Sequence, residues 1–307
     1  GSAIFGSLHE AGHGMYEQGS PVEWDRTPLA GGVSLGIHES QSRTWENIVG
    51  RSKAFWRFFL PKLQSAFPQF ASFDLDTWYA TINKVEPSYI RVEADEVTYN
   101  MHTMARFELE CDLLTGKLNV NDLPAAWNAK YEEFLGITPR TDSEGCLQDV
   151  HWSGGMIGYF PTYTLGNLYG AQFWESIHKA IPSRDTRMAK GDFKPILVWL
   201  RDKIHRHGRQ FSASELCRRA TGKPLTHHLI TLFAAQDRHR LIFLTKSTLV
   251  RHALRLPPTP QVVFSWSVNA EYVARRWELG TPPPESRFRA AERMQAAGWP
   301  IRFRLDP

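Results

Sequence analysis

The sequence predicts a mainly α-helical chain through about residue 225, followed by a small partial α/β segment over residues 226–307. Three observations carry this reading. Up to residue 222 apolar residues recur at helical spacing between Gly and Pro punctuation. Beyond it come strand-length apolar runs at Leu241–Leu244 and Val262–Val268, then an amphipathic helix and a third strand at Ile301–Leu305. Charge divides in the same way: from Lys223 onward 13 basic residues face 6 acidic ones, within a chain whose net charge is only +4.

Taken in order, the first helix covers about Ala3 to Gln18 and ends at Gly19-Ser20-Pro21. Gly12 and Gly14 each cost it roughly 1 kcal/mol relative to Ala, which a close approach of a neighbour or ligand would offset. Residues 20–36 read as a loop with a short hairpin around Gly31-Gly32. A second helix is expected from about His38 to Phe59, with Trp45, Phe55, Trp56, Phe58 and Phe59 in the core. Pro61 and Pro68 interrupt the next stretch, and a further helix covers Asp74 to Val85. From Tyr89 to Leu114, Glu93, Asp95, Glu96, Glu108, Glu110 and Asp112 alternate with Arg91, His102 and Arg106 beside apolar Val97, Met101 and Met104. Carboxylates on a partly buried element need partners. A helix follows over Asp122 to Phe134, then a Gly- and aromatic-rich run from Gly145 to Gly170 that suits a site wall. Helices at Ala171–Ala180, Phe193–His207 and Ser212–Thr221 complete this part.

Composition excludes several classes. A hydrophobic content of 42% and a charged content of 22% describe a globular chain. No apolar run approaches the roughly 20 residues of a membrane span, no signal peptide is visible, and a charge of +4 does not argue for nucleic acid. Three widely spaced cysteines, Cys111, Cys146 and Cys217, fit reduced thiols in the cytoplasm.

The chemistry centres on His9-Glu10-Ala11-Gly12-His13, an H-E-x-x-H motif inside the first helix. Positions i and i+4 share a helical face, so His9 and His13 can hold one metal while Glu10 reaches a water beside it, the ligand spacing of a zinc hydrolase. A catalytic zinc needs a third protein ligand. The metzincin extension would require Gly at 16 and His at 19, where the chain has Tyr16 and Gly19. In the competing pattern a glutamate on a later helix completes the set, and Glu39 opens the next helix.

Five blocks then resemble one family. His9–His13, His38–Arg43, Ile90-Arg91-Val92-Glu93-Ala94-Asp95, Gly145–Trp152 and Tyr159–Tyr163 are similar to the signature segments of the carboxypeptidase Taq family of metallopeptidases, in the family's order. The resemblance covers residues 1 to about 225. It implies a wholly helical fold, His9, His13 and Glu39 as metal ligands, Glu10 as general base, and hydrolysis of the terminal bond of a peptide with a free carboxylate. It also implies Zn2+, with another divalent ion such as Co2+ able to replace it, and a homodimer. Arg91 is the candidate for the substrate carboxylate, since a guanidinium offers a bidentate fork; an ion pair with Asp95 at i+4 is its structural alternative. Tyr159 and Tyr163 are candidate donors to the oxyanion or the substrate carboxylate. His38 and His151 are candidate substrate contacts, His38 alternatively standing behind a ligand, with a structural hydrogen bond as its equal alternative. Gln148 and Asp149, with Asp95, are candidate acceptors for a ligand imidazole.

Family members are longer than this chain and carry the histidine motif near the middle, so the resemblance implies that an amino-terminal half is missing and that helices built to be covered expose apolar faces. Residues 226–307 are similar to the middle of a radical S-adenosylmethionine protein of the spore photoproduct lyase type. The cluster motif C-x-x-x-C-x-x-C is absent, and two or three β/α units cannot close a barrel. Two functional classes stand: a zinc metallocarboxypeptidase, or a truncated fusion fragment that keeps the motif without enzymatic function.

Overall fold

The computed structural model describes residues 2–278 and 280–305. It divides into two units, Gly1–Thr221 and Gly222–Pro307. The first is built of helices: α1 (Ser2–Glu17), α2 (Leu35–Arg43), α3 (Lys53–Ala66), α4 (Leu75–Ile82), α5 (Tyr99–Leu114), α6 (Leu123–Leu135), α7 (Pro161–Ala180), α8 (Arg184–Met188), α9 (Lys194–Lys203) and α10 (Ala213–Thr221). A π turn over Thr44–Val49 continues α2.

Local chemistry sets several of these boundaries. Ser34, Ser52 and Asp74 cap α2, α3 and α4, each accepting the backbone N–H three residues on. Gly136 ends α6 in the left-handed conformation, φ 67°. Pro161 opens α7, where its missing N–H costs nothing.

Packing centres on α2, which lies against both α1 and α7. Its residues Glu39, Ser40, Gln41, Ser42 and Arg43 are all buried although most are polar. Two apolar clusters flank it. Phe5, Trp56 and Trp78 meet edge to face, and Ala105, Leu109, Trp127, Tyr131, Leu135 and Cys146 form a core between α5 and α6.

Four expectations change. The helix expected over 38–59 breaks at Gly50–Ser52, because the π turn ends there and Ser52 caps a new helix. Pro61 lies inside α3 instead of interrupting it; the carbonyl it deprives of a partner belongs to Arg57, on the exposed side. No hairpin forms at Gly31-Gly32, where the chain makes turns after a 3-10 segment at Val22–Trp24. Finally, α7 begins at Pro161 and not Ala171, running through Gly166 and Gly170, which are buried against α2.

The second unit contains α11 (Leu225–Ala234), β1 (Leu241–Thr245), β2 (Val262–Val268), α12 (Glu271–Trp277), α13 (Pro284–Ala296) and β3 (Ile301–Leu305). Neither α11 nor α12 was legible in the sequence pattern. The sheet runs β1-β2-β3, all parallel, with Phe243 opposite Phe264 and Trp266 opposite Phe303. Helix α13 supplies the crossover from β2 to β3, as parallel strands require. Val262, Phe264, Trp266 and Val268 pack on Ala290, Ala291, Met294 and Trp299. Ile242 and Leu244, on β1, stay about half exposed, so three strands remain an open sheet. Among the described residues no helix is long and apolar enough to cross a membrane.

Candidate metal centre

Helices α1 and α2 touch backbone to backbone, and a glycine permits it. A Cβ on Gly12 would lie 2.6 Å from Ser42 Cα and 2.7 Å from Gln41 O. From the other side, a Cβ on Gly166 of α7 would lie 2.5 Å from Glu39 Cγ. These two contacts set the height of Glu39 opposite His9 and His13.

The three side chains converge. His9 Nε2 and His13 Nε2 are 3.2 Å apart, and Glu39 Oε2 lies 3.8 Å from the first and 3.6 Å from the second. An ion with tetrahedral bonds of about 2.0–2.2 Å sets its ligands about 3.3–3.6 Å apart. The triangle therefore fits a divalent ion with two imidazoles and one carboxylate. Burial works against charge on Glu39, but the imidazole of His13 and the guanidinium of Arg43 more than compensate and hold its pKa at about 2.

Each histidine has an outer partner, of which the sequence reading offered His38 but missed Glu46 and, behind His38, Glu17. His9 Nδ1 lies 2.7 Å from Glu46 Oε2. An ionised carboxylate can only accept, so the proton sits on Nδ1 and Nε2 turns a lone pair to the site. Burial opposes the charge of Glu46 too, and its bond to His9 and the cation of Arg43 bring its pKa below the ordinary value. Arg43 spans the two acids, donating to Glu39 Oε1 at 2.8 Å and Glu46 Oε2 at 2.9 Å. His13 Nδ1 lies 2.6 Å from His38 Nδ1, whose other nitrogen is 2.7 Å from Glu17 Oε1. A signal existed for all of them. Glu39, Arg43 and Glu46 follow i, i+4, i+7 spacing, and His9, His13 and Glu17 follow i, i+4, i+8.

The remaining candidates form a second cluster. Arg91 is 4% exposed and does not pair with Asp95. It donates to Asp149 Oδ1 from Nε at 3.1 Å and Nη2 at 2.7 Å, and to the Tyr99 hydroxyl at 2.8 Å. Asp149 also accepts from Arg106 at 2.5 Å. Asp149 is thus a carboxylate between two guanidiniums and not the acceptor for a ligand imidazole; its burial is outweighed by Arg106 and Arg91, which lower its pKa. Gln148 likewise serves the backbone, accepting from Arg91 N and donating to Tyr89 O. Asp95 accepts the N–H groups of Val97 and Thr98 ahead of α5. Glu110 accepts from Trp152 Nε1 and Gly158 N, both at 2.7 Å, and so ties the 145–160 loop to α5. His102 turns to Tyr131, 3.0 Å away, in the core.

His151 Nε2 lies 2.8 Å from the Tyr163 hydroxyl, and the Tyr159 ring sits 5.4 Å from that of Tyr163. Burial raises the pKa of both phenols, which keeps them protonated as donors. His38, a candidate substrate contact, has both ring nitrogens engaged and offers none to a ligand. A cleft of about 740 Å³ opens beside the triangle. His9, Glu10, Arg43, Arg51, Arg91 and Tyr163 line it, together with Phe70, Phe73 and Trp78.

Comparison with known proteins relates each part of the chain to a family. The sequence profile of the carboxypeptidase Taq (M32) metallopeptidases matches residues 1–235. Thermostable carboxypeptidase 1 of Thermus thermophilus is 51% identical over 222 residues, 72% of this chain and 44% of that protein. The crystal structure of M32 carboxypeptidase from Deinococcus radiodurans R1 superposes with a TM-score of 0.70 at 48% identity, covering 73% of this chain and 45% of that one. The chain therefore spans less than half the length of these relatives. A spore photoproduct lyase profile matches residues 213–307, and that lyase of Bacillus subtilis is 37% identical over 86 residues, 27% of this chain and 25% of that protein.

Proposed function

The chain belongs to the carboxypeptidase Taq (M32) metallopeptidase family, and from that premise we propose that residues 1–221 carry a zinc-dependent carboxypeptidase centre. The observation that carries the proposal is the triangle of His9, His13 and Glu39 with Glu10 on the adjoining cleft. Two imidazole nitrogens and one carboxylate are the donor set of a catalytic zinc with an open position, and Co2+ is a plausible replacement. When bound, such an ion supplies Lewis acidity, making water a nucleophile near neutral pH and polarising a carbonyl.

The chain's own residues do the rest. Glu10 takes the proton of the attacking water and returns it to the departing amine, a role that asks only for a carboxylate within reach. Tyr159 and Tyr163, protonated phenols, donate to the oxyanion or to the substrate carboxylate, with His151 fixing the Tyr163 hydroxyl. Arg43, Arg51 and Arg91 put three guanidiniums on a cleft that Glu10, Glu46 and Glu93 also line, so an incoming carboxylate is met by individual guanidiniums and not by a net positive field. Arg91 spends three of its five N–H groups on Asp149 and Tyr99, which leaves one N–H on each Nη for a substrate carboxylate in the cleft that it lines. A homodimer and a reducing, cytoplasmic setting complete the proposal; the odd count of three cysteines suits the latter.

The test compares an amino-blocked dipeptide ending in a free acid with the same dipeptide ending in an amide. Release of the terminal residue from the acid alone is expected. Equal cleavage of both would overturn recognition of a terminal carboxylate. A second reading, a metal-holding chain without turnover, is favoured by the coverage of only 44% of the Thermus thermophilus enzyme. It is the outcome if neither substrate is cleaved by zinc-loaded chain.

A further inference from the structure

We propose that His13, His38 and Glu17 form a one-way hydrogen-bond relay that locks His13 in the tautomer able to ligate metal, making His38 and Glu17 positioning residues. The inference rests on the metal-site reading above and adds the device that prepares one of its ligands.

The direction of the relay follows from its far end. Glu17 Oε1 lies 2.7 Å from His38 Nε2 and also accepts from Gly32 N at 3.2 Å. A carboxylate in that position accepts, so His38 carries its proton on Nε2. A neutral imidazole has one proton, and His38 Nδ1 is then an acceptor. The atom facing it at 2.6 Å, His13 Nδ1, must be the donor. His13 is left with a bare Nε2, the atom that stands 3.2 Å from His9 Nε2 and 3.6 Å from Glu39 Oε2. Were His38 turned to its other tautomer, His13 would hold its proton on Nε2 and could not bind an ion there.

The surroundings keep the relay in register. A Cβ on Gly32 would come within 2.7 Å of His38 Cδ2 and 2.8 Å of Tyr16 Cε1, so only glycine lets the loop lie against both rings. Tyr16, whose hydroxyl accepts from Val33 N at 3.2 Å, ties the same loop to α1. His9 reaches the same end by a separate route, its Nδ1 proton accepted by Glu46. The site thus has two independent anchors, one running to a buried carboxylate and one to a half-exposed carboxylate.

Two measurements test the relay. In the unaltered chain with zinc bound, long-range 15N–1H correlation spectra are expected to show His9 and His13 protonated on Nδ1 and His38 on Nε2. A proton on His38 Nδ1 with zinc bound would overturn the relay and leave the metal site standing. The second measurement is the zinc dissociation constant, read by competition with a chromogenic chelator, and the visible spectrum of the Co2+ form. His38→Ala should weaken zinc by on the order of 10–100-fold and shift that spectrum. Added imidazole should restore both, which a merely structural loss would not allow. Because Glu17 acts through His38, His38→Ala with Glu17→Ala should be no weaker than His38→Ala alone, whereas His38→Ala with Glu46→Ala should multiply the two losses. An unchanged affinity in His38→Ala, or multiplying losses for His38 and Glu17, would overturn the proposal. If Glu39→Gln left zinc binding untouched, the metal reading itself would fail.

Discussion

Arg43 is the residue on which the buried charge of the site depends. It holds two carboxylates, Glu39 and Glu46, that are each about nine-tenths buried. Removing one partner of such a group leaves uncompensated charge and typically costs about 3–5 kcal/mol. Arg43→Met is therefore expected to lower the unfolding free energy read from urea titration by an amount of that order at neutral pH, and a change within about 0.5 kcal/mol would contradict the role given to it. His205 gives a pH dependence with a definite sign. Its ring donates to Gln41 Oε1 at 2.9 Å and is fully buried. Burial, with the charge of Arg201, brings its pKa down to about 3. Between about pH 6.5 and 3 the unfolded chain takes up a proton that the folded chain refuses, so this contribution is full above pH 6.5 and shrinks as pH falls. At pH 5 the loss is about 2 kcal/mol. Unfolding free energies at pH 7.5 and pH 5 should differ by about that much less in His205→Gln than in the parent chain.

Among the elements, the strands were the easiest to read and the polar helix the hardest. Val262–Val268 forms as its apolar run indicated and is buried along nearly its whole length, and Ile301–Leu305 pairs beside it as expected although only Ile301 is even partly covered. By contrast α2 buries Glu39, Ser40, Gln41, Ser42 and Arg43, so apolar periodicity says nothing about its inward face. The start of α7 was obscured by Gly166 and Gly170, whose absent side chains serve the approach of α2; tertiary packing overrides their poor helix propensity. The pairing of His9 with His13 was legible because i, i+4 spacing is a property of helices, and Glu39 was reached only through the family resemblance, while the Arg91–Asp149–Arg106 cluster joins residues up to 58 positions apart and was not legible. Paired glycine replacements test the packing account within one helix. Gly12→Ala must force α1 off α2 and should cost about 1–3 kcal/mol and weaken metal binding. Gly14, where an added Cβ meets nothing within 4 Å, should gain up to about 1 kcal/mol as Ala. Thermal unfolding of the two variants with and without zinc decides it, and equal effects would refute the close-approach argument.

At the scale of the whole chain, every residue of the candidate site comes from the first unit. The second unit has its own core, in which Met294 is fully buried against β2 and Trp299. Met294→Ala should destabilise that unit by about 2–5 kcal/mol and leave zinc affinity unchanged. Loss of zinc binding in that variant would show that the site depends on both units. The change of fold near residue 222 was legible from the shift in charge and periodicity, whereas α11 and α12 were not, being only ten and seven residues long. The central claim is that His9, His13 and Glu39 hold a catalytic ion for which Glu10 is the base. Its most direct test is release of the terminal residue from a blocked dipeptide by zinc-loaded parent chain and by Glu10→Gln at equal zinc content. The account expects turnover by the parent and a loss of at least about 10²-fold in the variant with zinc retained. Equal turnover by the two proteins, or none by a parent chain holding one zinc, would contradict it.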